Sequence, residues 1–111
     1  LGMYRRFSTQ PVSDWTPNFQ HNQSDIDSVT NPGDTFTATI IVKQRSAGSP
    51  NGVTVSGVQV DGTSTGVDLD WLGGSAPGAS PGSGYDVWTF VVMKTSNTPT
   101  YHVLGKRETY S

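Results

Sequence analysis

Short stretches in which apolar and polar residues alternate, separated by Gly-rich turns, occupy most of the chain from residue 35 to residue 110. The clearest stretch, 35–43, has Phe36, Ala38, Ile40 and Val42 at every second position. A period of two is typical of a strand with one face in the core and the other towards solvent. The pattern therefore predicts a half-buried antiparallel strand and directs the chain towards a β fold.

Four further strands are predicted from weaker versions of the same pattern. The first of them slips phase at Gly57, which predicts a β-bulge at that residue. The third is apolar on both faces, so it is expected either to be covered on both sides or to have one face in a subunit interface. These four strands are 53–60, 67–71, 85–94 and 100–109.

The composition favours strands over helices. Valine occurs 12 times and leucine only four times, and β-branched residues are suited to strands. The chain of 111 residues is predicted to be all-β, with an antiparallel β-sandwich or jelly-roll-like domain over residues 33–111 and no helix. Only 32% of the residues are hydrophobic, which suggests that partner chains contribute to stability.

Residues 1–32 show no strand or helix period and are predicted to form an extended N-terminal arm. They are rich in Pro, Asn, Gln, Ser and Asp, and a free segment of this composition is expected to be disordered. Isolated aromatic residues suggest that the arm docks, either on its own domain or on a neighbouring subunit. The residues proposed to anchor the arm in an assembly are Tyr4, Phe7, Trp15 and Phe19.

Charge and residue types disfavour several classes of function. The net charge of −2 argues against nucleic-acid binding, and no apolar run approaches the length that spans a membrane. The chain has no cysteine, and its two histidines stand far apart, so no metal site, cofactor or catalytic group is predicted. Asp61, Asp68 and Asp70 lack the spacing of a Ca²⁺-binding loop.

Residues 62–66 match the G-x-S-x-G pattern of a hydrolase nucleophile elbow. That motif requires a sharp turn from a strand into a helix. Here the pattern follows Asp61 and lies between two predicted strands, which favours a hairpin turn. The protein is accordingly predicted not to be an enzyme.

A Gly-rich loop over residues 73–84 is flanked by Trp71, Tyr85 and Trp88. Loops of this length are usually functional or mobile. Exposed aromatic residues beside such a loop would suit stacking on sugar rings, whereas Trp71 and Trp88 also fit the alternation of their strands. Packing in a core or interface is the favoured interpretation, and ligand binding remains the alternative.

A resemblance to a known family extends over residues 33–110, about 70% of the chain. It depends most on two segments, Trp71–Pro77 and Asp86–Phe90. The region resembles the C-terminal β-rich module of tailed-bacteriophage virion proteins of the tail-fibre and minor structural type. The resemblance rests on structural residues. The other similar segments are Gly33–Thr37, Ile40–Gln44, Val60–Gly62 and Val103–Gly105.

The resemblance implies a non-enzymatic structural component of the virion, an extracellular particle, often in a symmetric assembly. The chain is short for a fibre protein, which raises the expectation of a small decoration or adaptor protein. Other virion proteins and further copies of this chain are the expected partners. The alternative is a receptor-binding module that recognises host-surface glycans through the 73–84 loop and its flanking aromatic residues.

Overall fold

The computed structural model describes the backbone of residues 2–7, together with residues 16–21, 24–43, 57–78 and 84–110. Strands dominate these ranges, which confirms the all-β prediction. One helical turn, Ile26–Val29, and one 3-10 turn, Leu72–Gly74, accompany them. The elements are β1 Gly2–Phe7, β2 Asn18–Phe19, α1 Ile26–Val29, β3 Thr35–Lys43, β4 Gln59–Val60, β5 Val67–Trp71, β6 Tyr85–Ser96 and β7 Thr100–Tyr110.

Five of the strands form one mixed sheet in the order β1-β3-β6-β7-β5, and β2 pairs with β4 in a second, two-stranded sheet. The central pairs, β3 with β6 and β6 with β7, are antiparallel as predicted. The edge strands β1 and β5 instead run parallel to their neighbours. Strand direction depends on the long connections, which the alternation of residues within a strand does not encode.

The predicted strand 35–43 coincides with β3, and its alternate apolar residues are all buried. They face the same side as the buried residues of β6 and β7, and this side of the large sheet is called the inner face. The opposite side is called the outer face. The buried apolar residues of the three strands are Phe36, Ala38, Ile40, Val42, Trp88, Phe90, Val92, Tyr101 and Val103.

A thin second layer covers the inner face. Phe19 of β2 packs against Phe36 and Phe90, with ring centroids 6.4 and 5.5 Å apart. Ile26 of α1 and Val60 of β4 are almost fully buried beside them. The core therefore lies between the large sheet and a layer built from residues 17–21, 24–30 and 57–63.

The helical turn α1 departs from the prediction that the chain has no helix. Its first turn is held from a distance, because both carboxylate oxygens of Asp61 accept hydrogen bonds from the backbone N–H groups of Ile26 and Asp27, at 2.8 and 3.1 Å. Unsatisfied N–H groups at a helix start are commonly satisfied by an acidic or hydroxyl side chain close in sequence. Here the side chain comes from 35 residues further along the chain.

Asp61 and Gly62 form the turn predicted from their sequence. Both residues have positive φ, 53° and 82°, as a type I′ hairpin turn requires. Val60 and Thr63 exchange backbone hydrogen bonds across this turn at 3.0 and 3.2 Å. The chain then continues into strand β5 rather than into a helix, so residues 62–66 lack the setting of a nucleophile elbow.

Lys94 fastens the second layer to the sheet. Its ammonium group is on the inner face with 2% side-chain exposure, and it contacts the Asp27 carboxylate at 2.6 Å. The same group donates to the backbone carbonyls of Asp27 and Thr30, each at 3.0 Å. A buried charge of this kind needs several oxygen partners, and the segment around α1 supplies them.

The segment predicted as an arm lies partly within this architecture. The backbone of residues 2–7 is edge strand β1, paired with β3. Phe19 belongs to the core, so its side chain docks on its own domain, one of the two alternatives left open by the sequence. The side chains of Tyr4 and Phe7, the whole of Trp15, and residues 53–56 before the predicted bulge at Gly57 lie outside the described residues.

Candidate functional site

Trp71 and Trp88, two of the three proposed ligand or interface residues, belong to the inner face. Trp88 is 1% exposed and Trp71 is partly buried against the core. The Trp71 ring meets those of Trp88 and Phe90 edge to face, with both pairs of centroids 5.9 Å apart. Trp88 therefore offers no open ring surface to a ligand, and the favoured core interpretation describes the position of both tryptophans.

Arg107 extends this cluster towards the Gly-rich loop. Its guanidinium carbon lies 5.5 Å from the centroid of the Trp88 ring, within the range of a cation–π contact. The Arg107 Nη1 atom also donates to the backbone carbonyl of Gly78. Arg107 thus connects the first part of the loop to the end of β7, and its guanidinium group lies over the ring of Trp88.

Tyr85, the third proposed residue, points to the outer face and is 40% exposed. It lies directly opposite Tyr110 in the pairing of β6 with β7, and Tyr110 is 56% exposed. Lys43 of β3 is its partner on the other side. The three predicted residues therefore do not gather at one site, and the structure brings Tyr85 together with Tyr110, which was not predicted as a site residue.

Exposed apolar side chains are concentrated on the central strands of the outer face. Val91 of β6 lies opposite Leu104 of β7, and Leu104 is 54% exposed. Met93 is 39% exposed, and Leu72, just beyond β5, is 78% exposed. A cluster of exposed apolar side chains on one face is typical of a surface that binds another molecule.

A shallow depression of about 250 Å³ lies where β5, β6 and β7 meet on this face. Leu72, Val91 and Leu104 provide its apolar lining, and Lys106 and Asp70 stand at its margin. The depression is open to solvent and is large enough to receive one or two apolar side chains of a partner.

Two contacts between charged or titratable groups lie on the outer face, which also carries Lys43 and Asp68. Asp70 Oδ2 lies 2.6 Å from His102 Nε2, and Lys106 Nζ lies 3.6 Å from Glu108 Oε1. These contacts are solvent-exposed, so each contributes little to stability. Their effect is to leave the face without a strong field of either sign.

One residue of the inner face, Tyr101, has a shifted pKa. Burial raises the pKa of Tyr101 to about 12, and the nearby carboxylates of Asp27, Asp61 and Asp25 act in the same direction. The hydroxyl of Tyr101 is buried and has no hydrogen-bond partner among the described residues. Because the pKa is raised above its usual value near 10, the titration of this tyrosine bears on the stability of the fold at alkaline pH.

Neither a metal-binding cluster nor a long apolar helix occurs in the described ranges. They contain no group of three His, Cys, Asp or Glu side chains arranged to hold a metal ion. None of the helices found in these ranges is long and apolar enough to cross a membrane. Comparison with protein-family models, with curated proteins and with solved structures finds no match for the chain.

Proposed function

We propose that the protein is a non-enzymatic structural component of a tailed-bacteriophage virion, a small decoration, adaptor or tail-fibre protein, whose outer sheet face binds neighbouring virion proteins. The observation that supports this most is the exposed apolar strip on the central strands, with Val91, Met93 and Leu104 at its middle. The sequence resemblance to virion modules points to the same class of protein. The virion is accordingly its proposed location.

The sandwich arrangement favoured by the strand pattern belongs to the same proposal. Two antiparallel sheets pack face to face at about 10 Å in a β-sandwich. The inner face of this sheet is covered by a thin layer with only two short strands. We propose that a fuller sandwich forms when a second sheet covers the outer face within the particle.

The segment before residue 16 is proposed to add to this assembly. Phe19 is occupied in the core, so Tyr4, Phe7 and Trp15 remain the proposed anchors of the arm. A variant with Trp15→Ala tests this role without removing strand β1 or Phe19. Reduced incorporation into particles, with the unfolding midpoint unchanged, is the result expected.

The main test is incorporation into particles of a variant with Leu104→Lys, a charge placed at the centre of the outer face. Purified virions would be examined by immunogold labelling and by quantitative mass spectrometry. Val29→Lys is the matched control, because Val29 is 43% exposed on α1, in the layer over the inner face. Incorporation should fall at least tenfold for Leu104→Lys only, and unchanged incorporation of both variants would contradict the proposal.

A second candidate function, binding of host-surface glycans, is favoured by one observation. Tyr85 and Tyr110 are exposed side by side on adjacent strands, and neighbouring aromatic rings on a sheet suit stacking against sugar rings. Tyr110→Ala and Tyr85→Ala would then abolish binding to host cells and to a glycan array while leaving particle incorporation intact. Retained binding by both variants would eliminate this candidate.

A further inference from the structure

We infer that the outer face is an interface between two copies of this chain, packed sheet against sheet. The inference rests on the proposed function, because it names the partner that occupies the surface proposed for assembly. It differs from that proposal in a measurable way, since two copies would associate in solution without any other virion protein. Three features of the face support a second copy as the occupant.

The first feature is the size of the face. Strand β6 has 12 residues and therefore extends about 40 Å, at about 3.3 Å per residue. Four strands, β3, β6, β7 and β5, lie side by side at about 4.8 Å and have unequal lengths, so they cover roughly 600 Å² in projection. Because side chains protrude from the sheet, the accessible area exceeds this projected area and comes close to the roughly 800 Å² per partner of a standard stable interface.

The second feature is the distribution of residue types across the face. Strand β6 carries most of the apolar residues, with Val91 opposite Leu104 at the centre. On β7 the charged residues Lys106 and Glu108 follow Leu104. The strands on either side are mainly polar on this face, with alternate threonines and one isoleucine, Ile41, along β3, and with Asp68 and Asp70 on β5. An apolar centre surrounded by a polar rim is the usual anatomy of a specific protein interface.

The third feature is charge. A face that binds its own copy must not carry a strong field of one sign, because like charges would then meet across the interface. This face carries the acidic residues Asp68, Asp70 and Glu108, and the basic residues Lys43, Lys106 and His102 are interspersed with them. Asp70 contacts His102 and Lys106 lies near Glu108, so neither sign of charge dominates the face. Two identical copies of the face can therefore approach each other without strong electrostatic repulsion.

Association of two copies would also cover the exposed outer face of the sheet. The inner face is buried by its own chain, whereas the outer face of the same sheet keeps Leu104, Tyr110 and Met93 exposed to solvent. A sheet with apolar residues on both faces is stable in water when both faces are covered. Two copies packed at about 10 Å would cover both outer faces at once and complete a sandwich across the interface.

The experiment is sedimentation equilibrium of the purified full chain over a range of concentrations. The wild type is expected to have twice the mass of one chain. Leu104→Lys should raise the dissociation constant at least tenfold, because it places a lysine from each copy in the apolar centre. Met93→Lys is the second variant, and Val29→Lys, in the layer over the inner face, should leave association unchanged. Circular dichroism would establish that each variant remains folded.

The outcomes separate the dimer from the proposed function. A wild type that is monomeric throughout overturns the inference, as does a dimer that neither outer-face variant weakens. A monomeric wild type whose incorporation into particles is lost with Leu104→Lys would assign the face to a different virion protein, leaving the proposed function intact. A dimer weakened by Leu104→Lys, from a protein that immunogold labelling does not find on virions, would support the interface and refute the virion location.

Discussion

Gly105 lies against the indole ring of Trp71, so closely that a Cβ atom at residue 105 would be 2.8 Å from the ring carbon Cζ3. The same Cβ would be 3.1 Å from the Phe90 ring. Gly105 is buried in the middle of β7, where the lack of a side chain admits the tryptophan to the core. A glycine inside a strand commonly marks such a close approach.

Gly105→Ala is therefore expected to destabilise the protein by about 2 kcal/mol, the usual cost of overpacking a core. Urea unfolding followed by tryptophan fluorescence would measure the change. Gly78→Ala is the control, because a Cβ there meets nothing within 4 Å. In a Trp71→Leu background the cost of Gly105→Ala should largely disappear, and a cost that persists unchanged would show that the ring contact is not its cause.

The buried lysine supports a second prediction. Lys94→Ala should cost about 3 kcal/mol, because it leaves the Asp27 carboxylate and the carbonyls of Asp27 and Thr30 without their shared donor. Lys106→Ala provides the control, since Lys106 is 45% exposed and its ion pair with Glu108 should be worth at most about 0.5 kcal/mol. Equal midpoints for the two variants in chemical unfolding would contradict this role for Lys94.

The Tyr101 hydroxyl makes a prediction about alkaline pH. Its pKa is raised from 10.0 to about 12 in the folded protein, so between these values the folded state holds a proton that the unfolded state has lost. The contribution is complete below pH 10 and declines as pH rises towards 12. Stability should therefore fall over this interval, as measured by urea unfolding at a series of pH values.

Tyr101→Phe provides the matched variant for this titration. It removes the ionisable hydroxyl and no hydrogen bond made by a described residue, so stability near pH 7 should change little. The difference in unfolding free energy between wild type and variant should then develop only above about pH 10. A difference that does not vary from pH 8 to pH 12 would refute the shifted pKa.

The two kinds of aromatic residue should respond differently to truncation. Trp88→Ala is expected to cost about 3–5 kcal/mol, because it empties a fully buried position in the core. Tyr110→Ala should cost less than about 1 kcal/mol, since that ring is more than half exposed. Thermal unfolding of both variants would check this. The difference also makes Tyr110, and not Trp88, the residue at which ligand binding can be tested in a folded protein.

Alternation of apolar and polar residues was sufficient to predict the position of the central strands. The period of two located β3 at both ends, and it placed Val67, Leu69 and Trp71 on the face that packs against the core. The G-x-S-x-G segment was also correctly interpreted as a turn from its neighbours. These features depend on residues close together in sequence, so the sequence predicted them well.

Long-range relationships escaped prediction. Helical turn α1 has four residues, too few to give a period, and its first turn depends on Asp61 far along the chain. Tyr110 was missed for a different reason. A register shift between Lys94 and Ser96 moves the pairing of β6 and β7 by one residue, so Tyr85 faces Tyr110 and not Ser111. Such a shift follows from packing and not from the alternation of residue types.

Strand β5 has a consequence for how copies of this chain can accumulate. It closes one edge of the sheet with only five residues and carries the exposed carboxylates of Asp68 and Asp70. A short edge with charged side chains is a poor template for strand addition by another chain. At this edge, copies that associate through the outer face would therefore not add further strands along the hydrogen-bonding direction. At high concentration the β5 edge would therefore favour discrete pairs over open-ended strand addition.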